Sequence, residues 1–127
     1  MGNDHFSQLL GIEIIEIKEG ACILKMKVTK NMLNGFGIAH GGITYCLADS
    51  ALAFASNSKG RKSVSIETSI AHIISLKEGD EITAIAECET ETDKLGHYKV
   101  TVHMNNDPAK KAAIFKGIVY KTSKSWD

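Results

Sequence analysis

Residues 34–58 read NGFGIAHGGITYCLADSALAFASNS, and the change of character at Gly41 decides the architecture. Up to His40 the stretch has Asn and Gly, the composition of a loop. From Gly41 to about Asn57 it has no Pro and is rich in Ala and Leu. Ile43, Leu47, Ala48, Ala51, Leu52, Phe54 and Ala55 fall at helical spacing, which predicts one long helix, the only one legible in the chain. Its apolar residues point in nearly every direction. Such a helix must be enclosed, either by a sheet that curls round it or by a second subunit. Asp49 interrupts the apolar run.

Outward from this helix the pattern is β. IEIIEI and ACILKMKV flank Lys18-Glu19-Gly20 and read as a hairpin, with Cys22, Leu24, Met26 and Val28 on one inward face. After Ser58-Lys59-Gly60-Arg61 come SVSIETSIAHII, EITAIAECETE, HYKVTVHMN and AAIFKGIVYKT. The separators are Glu78-Gly79-Asp80, Asp93-Lys94-Leu95-Gly96 and Asn106-Asp107-Pro108. Residues 3–10 are expected to form a short helix capped by Asn3 or Asp4 and ended by Gly11. A hairpin, one helix and four more strands without βαβ alternation predict an α+β fold, an antiparallel sheet on a single helix.

With 127 residues, 43% hydrophobic and 24% charged, the chain fits one domain spanning residues 1–127. Fifteen basic and fifteen acidic residues cancel, leaving no footprint for nucleic acid or an anionic membrane. The start, MGNDHFSQLLG, lacks a secretory leader's basic region and long apolar core, and no apolar run reaches bilayer length, so a cytoplasmic location is expected. Cys22, Cys46 and Cys88 contain no CxxC pair and predict reduced thiols rather than a disulfide or zinc framework. His5, His97 and His103 lack metal-ligand spacing. No metal or other cofactor is expected.

The chemistry concentrates around the helix start. The free N–H groups of a helix N-terminus and the positive end of its dipole suit a developing oxyanion, and glycine at 41 and 42 lets a carbonyl approach closely. His40 and Asn34 either polarise a carbonyl or brace the loop. Asp49, a carboxylate among apolar neighbours, must face a cleft, bond a polar group or carry a raised pKa, and is a candidate general base or nucleophile. Gly41 and Asp49 are eight residues apart, about 12 Å along a helix. They cannot meet at one small reacting centre within one chain. A shared centre requires the start of one helix and the middle of another, most simply across a two-fold axis.

Asn34-x5-His40-Gly41-Gly42, then Leu47-Ala48-Asp49-Ser50-Ala51 and Asn57-Ser58, resemble the signature of the PaaI-type hotdog-fold acyl-CoA thioesterases. Leu10-Gly11-Ile12, Met32-Leu33-Asn34, Glu78-Gly79-Asp80 and Phe115-x-Gly117 extend the likeness over nearly the whole chain. The resemblance implies a hotdog fold, a curved antiparallel sheet wrapped around one long central helix, assembled as a dimer and commonly a homotetramer. It implies hydrolysis of an acyl-CoA without cofactor. Gly41 N–H would bind the thioester oxygen, His40 and Asn34 would support that site or the water, and Asp49 of the other subunit would activate water or attack the carbonyl. Ser65, the best match to a hydroxyl some members use, is expected to share a strand face with Ser69, with Thr68 opposite. At residues 71–79 the family often has an aromatic residue and a Pro, where this chain has His72 and Ser75-Leu76. Lys59, Arg61, Lys62 and Lys77 are candidates for the CoA phosphates. A non-catalytic acyl-CoA binding module and a hotdog dehydratase or hydratase remain as alternatives, although His-Gly-Gly followed by Asp49 suits hydrolysis better.

Overall fold

The computed structural model describes residues 5–126, so the expected caps Asn3 and Asp4 lie outside the described residues. The elements are α1 (His5–Leu10), β1 (Glu13–Lys18), β2 (Ala21–Lys27), a 3-10 turn (Lys30–Met32), α2 (Gly41–Asn57), β3 (Arg61–His72), β4 (Glu81–Glu91), β5 (Leu95–Met104) and β6 (Asp107–Ser125). The six strands form one antiparallel sheet in the order β1-β2-β4-β5-β6-β3. This is the expected hotdog layout of a curved sheet around one long helix. The last turn differs from expectation. Asn105 and Asn106 both adopt positive φ, 53° and 58°, between β5 and β6. Asn tolerates the left-handed region at adjacent turn positions, and Pro108 falls inside β6 instead.

Helix α2 lies against the concave face. Leu47, Ala48, Ala51, Leu52 and Ala55 are buried with Leu24 and Met26 of β2, Ile82 and Ala84 of β4, Val100 and Val102 of β5, and Phe115 and Val119 of β6. Contact is close at Gly117, where an added Cβ would sit 2.6 Å from Leu52 Cδ2. Tyr45 meets the Phe115 ring edge-on at a centroid distance of 5.4 Å and shares a 2.6 Å hydrogen bond with Thr68 of β3. Enclosure is incomplete. Ile43, Tyr45, Cys46, Asp49, Ser50 and Ala53 are only half-buried, and next to them Val64, Ser65 and Ile66 of edge strand β3 are exposed.

The far end of α2 is pinned by polar groups. The Asn57 side-chain amide donates to the Ala53 carbonyl at 2.9 Å and to the Ser63 carbonyl at 3.2 Å. Its oxygen accepts from Ser63 N–H at 2.9 Å and from Trp126 Nε1 at 3.1 Å. Trp126 N–H donates to the Gly60 carbonyl, and Lys62 Nζ lies 5.0 Å from the Trp126 ring centroid. Arg61 donates to the carbonyls of Lys121, Thr122 and Asp93, each at 2.9 Å. Lys59 and Lys121 grip the two oxygens of Glu91 at 2.9 and 3.1 Å.

The Gly117 contact yields a stability test. Gly117→Ala is expected to lower unfolding free energy by about 1–3 kcal/mol, because the methyl must displace a fully enclosed Leu52. Urea denaturation measures the change.

Candidate active site

The loop before α2 is held by its backbone. His40 N–H donates to the Met32 carbonyl at 2.8 Å, Ala39 N–H to the Leu76 carbonyl at 2.7 Å, and Leu33 pairs with Ala39. Asn34 turns the chain within it, its Oδ1 accepting from Phe36 N–H at 2.9 Å and its carbonyl accepting from Gly37 N–H, where φ is 76°. The Asn34 side-chain NH2 has no partner among the described residues.

His40 caps α2, its Nδ1 accepting from Gly42 N–H at 3.2 Å. A neutral imidazole that accepts at Nδ1 carries its proton on Nε2, which stays available as a donor. Ile43 N–H takes the His40 carbonyl. The first helical amide, Gly41 N–H, has no acceptor among the described residues, as expected at that position. It borders a cavity of ≈ 240 Å³ lined by Asn34, Ile38, Gly41, Thr44, His72 and Leu76 among others. Thus Asn34, His40 and Gly41 meet at one end of the helix.

Asp49 is not part of that cavity. It lies four residues beyond Tyr45, on the same face and about 6 Å further along the axis. Its half-buried carboxyl has no hydrogen bond or ion pair among the described residues, and burial raises its pKa above the ordinary 3.8. Burial, and then the nearby Asp49 charge, raises the Cys46 thiol, which keeps it protonated and unsuited to act as a nucleophile. Cys22 is pushed up to about 12 by burial.

Ser65 corrects the expected strand alternation. A bulge between Ser65 and Glu67 leaves Ile66 as an extra residue, so Ser65 pairs with Val119 and Thr68 with Gly117, both partners on the helix-facing side of β6. Ser65 therefore shares the helix-facing side with Thr68, and Ser69 points outward. The Tyr45–Thr68 bond and the Asn57–Ser63 bonds run α2 antiparallel to β3. A 6 Å step from Thr68 is about two strand residues, which brings Asp49 level with the bulge and with Ser65. The chain thus carries Asn34, His40 and Gly41 together at the helix start and Asp49 separately near its middle, with Ser65 at a similar level along β3.

A family model described as the thioesterase superfamily matches residues 36–109. The chain belongs to the thioesterase superfamily. Acyl-coenzyme A thioesterase PaaI of Escherichia coli K12 is 36% identical over 115 residues, covering 91% of this chain and 81% of the relative. The solved E. coli PaaI structure from the phenylacetic acid degradation operon superimposes with a TM-score of 0.93 at 33% identity, over 98% of this chain and 88% of that one. A Streptococcus mutans UA159 protein solved bound to acetyl CoA matches with a TM-score of 0.83 at 26% identity, over 90% of each chain.

In this superfamily member the basic candidates are unequally available. Lys59 is engaged by Glu91 and Arg61 by three carbonyls, and Lys62 sits by Trp126. Lys77 Nζ has no partner among the described residues. Among those residues no group of three or more His, Cys, Asp and Glu is placed to hold a metal, and no helix is long and apolar enough to cross a membrane. In the sequence His72 stands out only as a change at a position where the family often has an aromatic residue. A Cβ on Gly41 would stand 3.3 Å from its Nε2, and no local pattern signals a contact between residues 31 positions apart.

His40→Ala is expected to cost about 1 kcal/mol through loss of the cap. The denaturation midpoint should fall while near-native circular dichroism persists.

Proposed function

We propose that this chain hydrolyses acyl-CoA thioesters to free acid and CoA, working as at least a dimer whose centres each combine residues of two copies. The observation that carries this reading is the split along α2. An unpartnered Gly41 N–H and an unpaired, half-buried Asp49 carboxyl stand about 12 Å apart on one helix. The face bearing Asp49, with edge strand β3, is left open to a second copy. A symmetric pair would bring each Asp49 to the other chain's helix start. The acyl-CoA thioesterase name of the E. coli relative and the acetyl CoA bound by the S. mutans protein support the choice of substrate. Two dimers forming a tetramer are expected from the family likeness.

The thioester oxygen would accept from Gly41 N–H, with the free Asn34 NH2 and His40 Nε2–H supporting that site or the water. Asp49 either takes a proton from water as the water oxygen bonds to the carbonyl carbon, or bonds to that carbon itself. Negative charge gathers on the carbonyl oxygen, where the helix-start amide is strongest. Collapse breaks the C–S bond and releases CoA thiolate, which on the base route takes the proton that Asp49 removed from water and on the attack route takes one from the water that later cleaves the mixed anhydride. On the attack route, water then cleaves the mixed anhydride and regenerates Asp49. Ser65, at a similar level along β3, would orient the carboxyl or the water. Lys77 is the remaining basic candidate for the CoA nucleotide.

Thiol release from a panel of acyl-CoAs tests the reading. Asp49→Asn is expected to lower kcat by about 100-fold or more without lowering the unfolding midpoint, since a neutral isostere replaces a half-buried charge. Saturable acyl-CoA binding without hydrolysis by the wild type would instead favour a binding module. Mixing a Gly41→Val variant with Asp49→Asn should restore part of the activity, and inactive mixed dimers after proven subunit exchange would refute the shared site. The carboxylate must be ionised to act, so burial should move the acid limb of kcat/KM above the pH at which an ordinary Asp titrates. That limb should vanish from the residual activity of Asp49→Asn.

A further inference from the structure

We infer that His72 is a second hydrogen-bond donor to the thioester oxygen, completing with Gly41 N–H a two-donor cradle that spans the start of α2 and the end of β3. The inference rests on the hydrolase reading above for its substrate. Gly41 does not have a positive φ, so its backbone conformation does not require glycine. The missing side chain matters for what stands beside it. A Cβ there would lie 3.3 Å from His72 Nε2 and 3.5 Å from Cε1. Glycine therefore brings the imidazole edge next to the Gly41 backbone, in the cavity that both residues line.

His72 has no structural task that explains this placement. Its side chain is exposed and has no hydrogen-bond partner among the described residues. Its backbone is fixed by pairing with Ala113 at the end of β3, and the following Ile73 N–H donates to the Ala112 carbonyl at 2.8 Å. The ring thus stands on a rigid strand end. An oxygen accepting from Gly41 N–H sits about 2.9 Å from that nitrogen, beside the same Cα that His72 Nε2 approaches. A ring N–H can donate there as charge builds on the oxygen, whereas an aromatic hydrocarbon at this position can only pack.

Two substitutions separate donation from packing. His72→Phe keeps a flat ring without an N–H, and His72→Gln keeps an N–H donor at similar reach. His72→Phe is expected to lower kcat by about 10-fold or more with KM changed less than about 3-fold, and His72→Gln to retain most of kcat. Equal kcat for wild type and His72→Phe, or equal losses in both variants, would overturn the inference. A readout independent of turnover is the infrared C=O stretch of carbonyl-labelled acetyl-CoA bound in the Asp49→Asn background. The stretch should move to higher frequency on adding His72→Phe and stay low with His72→Gln. An unmoved stretch, or no bound carbonyl signal, counts against His72 even where hydrolysis is normal. A moved stretch in a protein that hydrolyses nothing would uphold His72 and overturn the hydrolase reading instead.

Discussion

Everything in this chain follows from the need to take one nearly all-apolar helix out of water. Burying Leu47, Ala51, Leu52 and Ala55 requires partners on several sides, and only a curved sheet supplies them from β2, β4, β5 and β6 together. The small residues make that approach possible. Ala48, Ala51 and Ala55 on the helix and Gly117 on β6 bring backbones close, and Leu52 fills the space left by the missing side chain at 117. A helix seated this tightly cannot slide. Its first amide and its single carboxylate inherit fixed positions along the sheet.

That fixity extends to groups outside the helix. The loop carrying Asn34 is tied to the 3-10 turn and to Leu76, and Tyr45 is bonded to Thr68 of β3. The start of α2, the loop before it and the strand after it are therefore one rigid assembly. Preorganised donors are useful in catalysis because they need not reorient as charge develops. The helix face that bears Asp49 is held as firmly but left uncovered, and the sheet stops beside it at β3.

What the sequence discloses and conceals divides along local and long-range lines. The ends of α2 are legible because loop chemistry before Gly41 and turn chemistry after Asn57 are encoded next to the helix. The hairpin is legible for the same reason, and Cys22, Leu24, Met26 and Val28 are all buried as their alternation requires. The face of Ser65 is hidden because one bulged residue, Ile66, resets the alternation without any Gly or Pro to mark it. Lys59 and Arg61 look like loose cations in a turn, and only the fold shows them engaged by Glu91 and by carbonyls of the β4–β5 turn and β6. The nearness of His72 to Gly41 depends on how β3 returns past the helix start. The eight-residue spacing from Gly41 to Asp49 is readable in one dimension, because a helix converts residue count directly into distance.

Asn57 has a further consequence. Its amide uses both ends, the NH2 on two carbonyl oxygens and the oxygen on two N–H groups, joining α2 to β3 and to the indole near the C-terminus. Hydrolysis of that amide to a carboxylate, the chemical ageing to which Asn-Ser pairs are prone, would leave an acceptor-only group facing the carbonyls of Ala53 and Ser63. Two attractions would become repulsions in a partly buried place. The helix would lose its far anchor without any change at Gly41, so the tie between α2, β3 and the C-terminal indole depends on this one amide staying neutral.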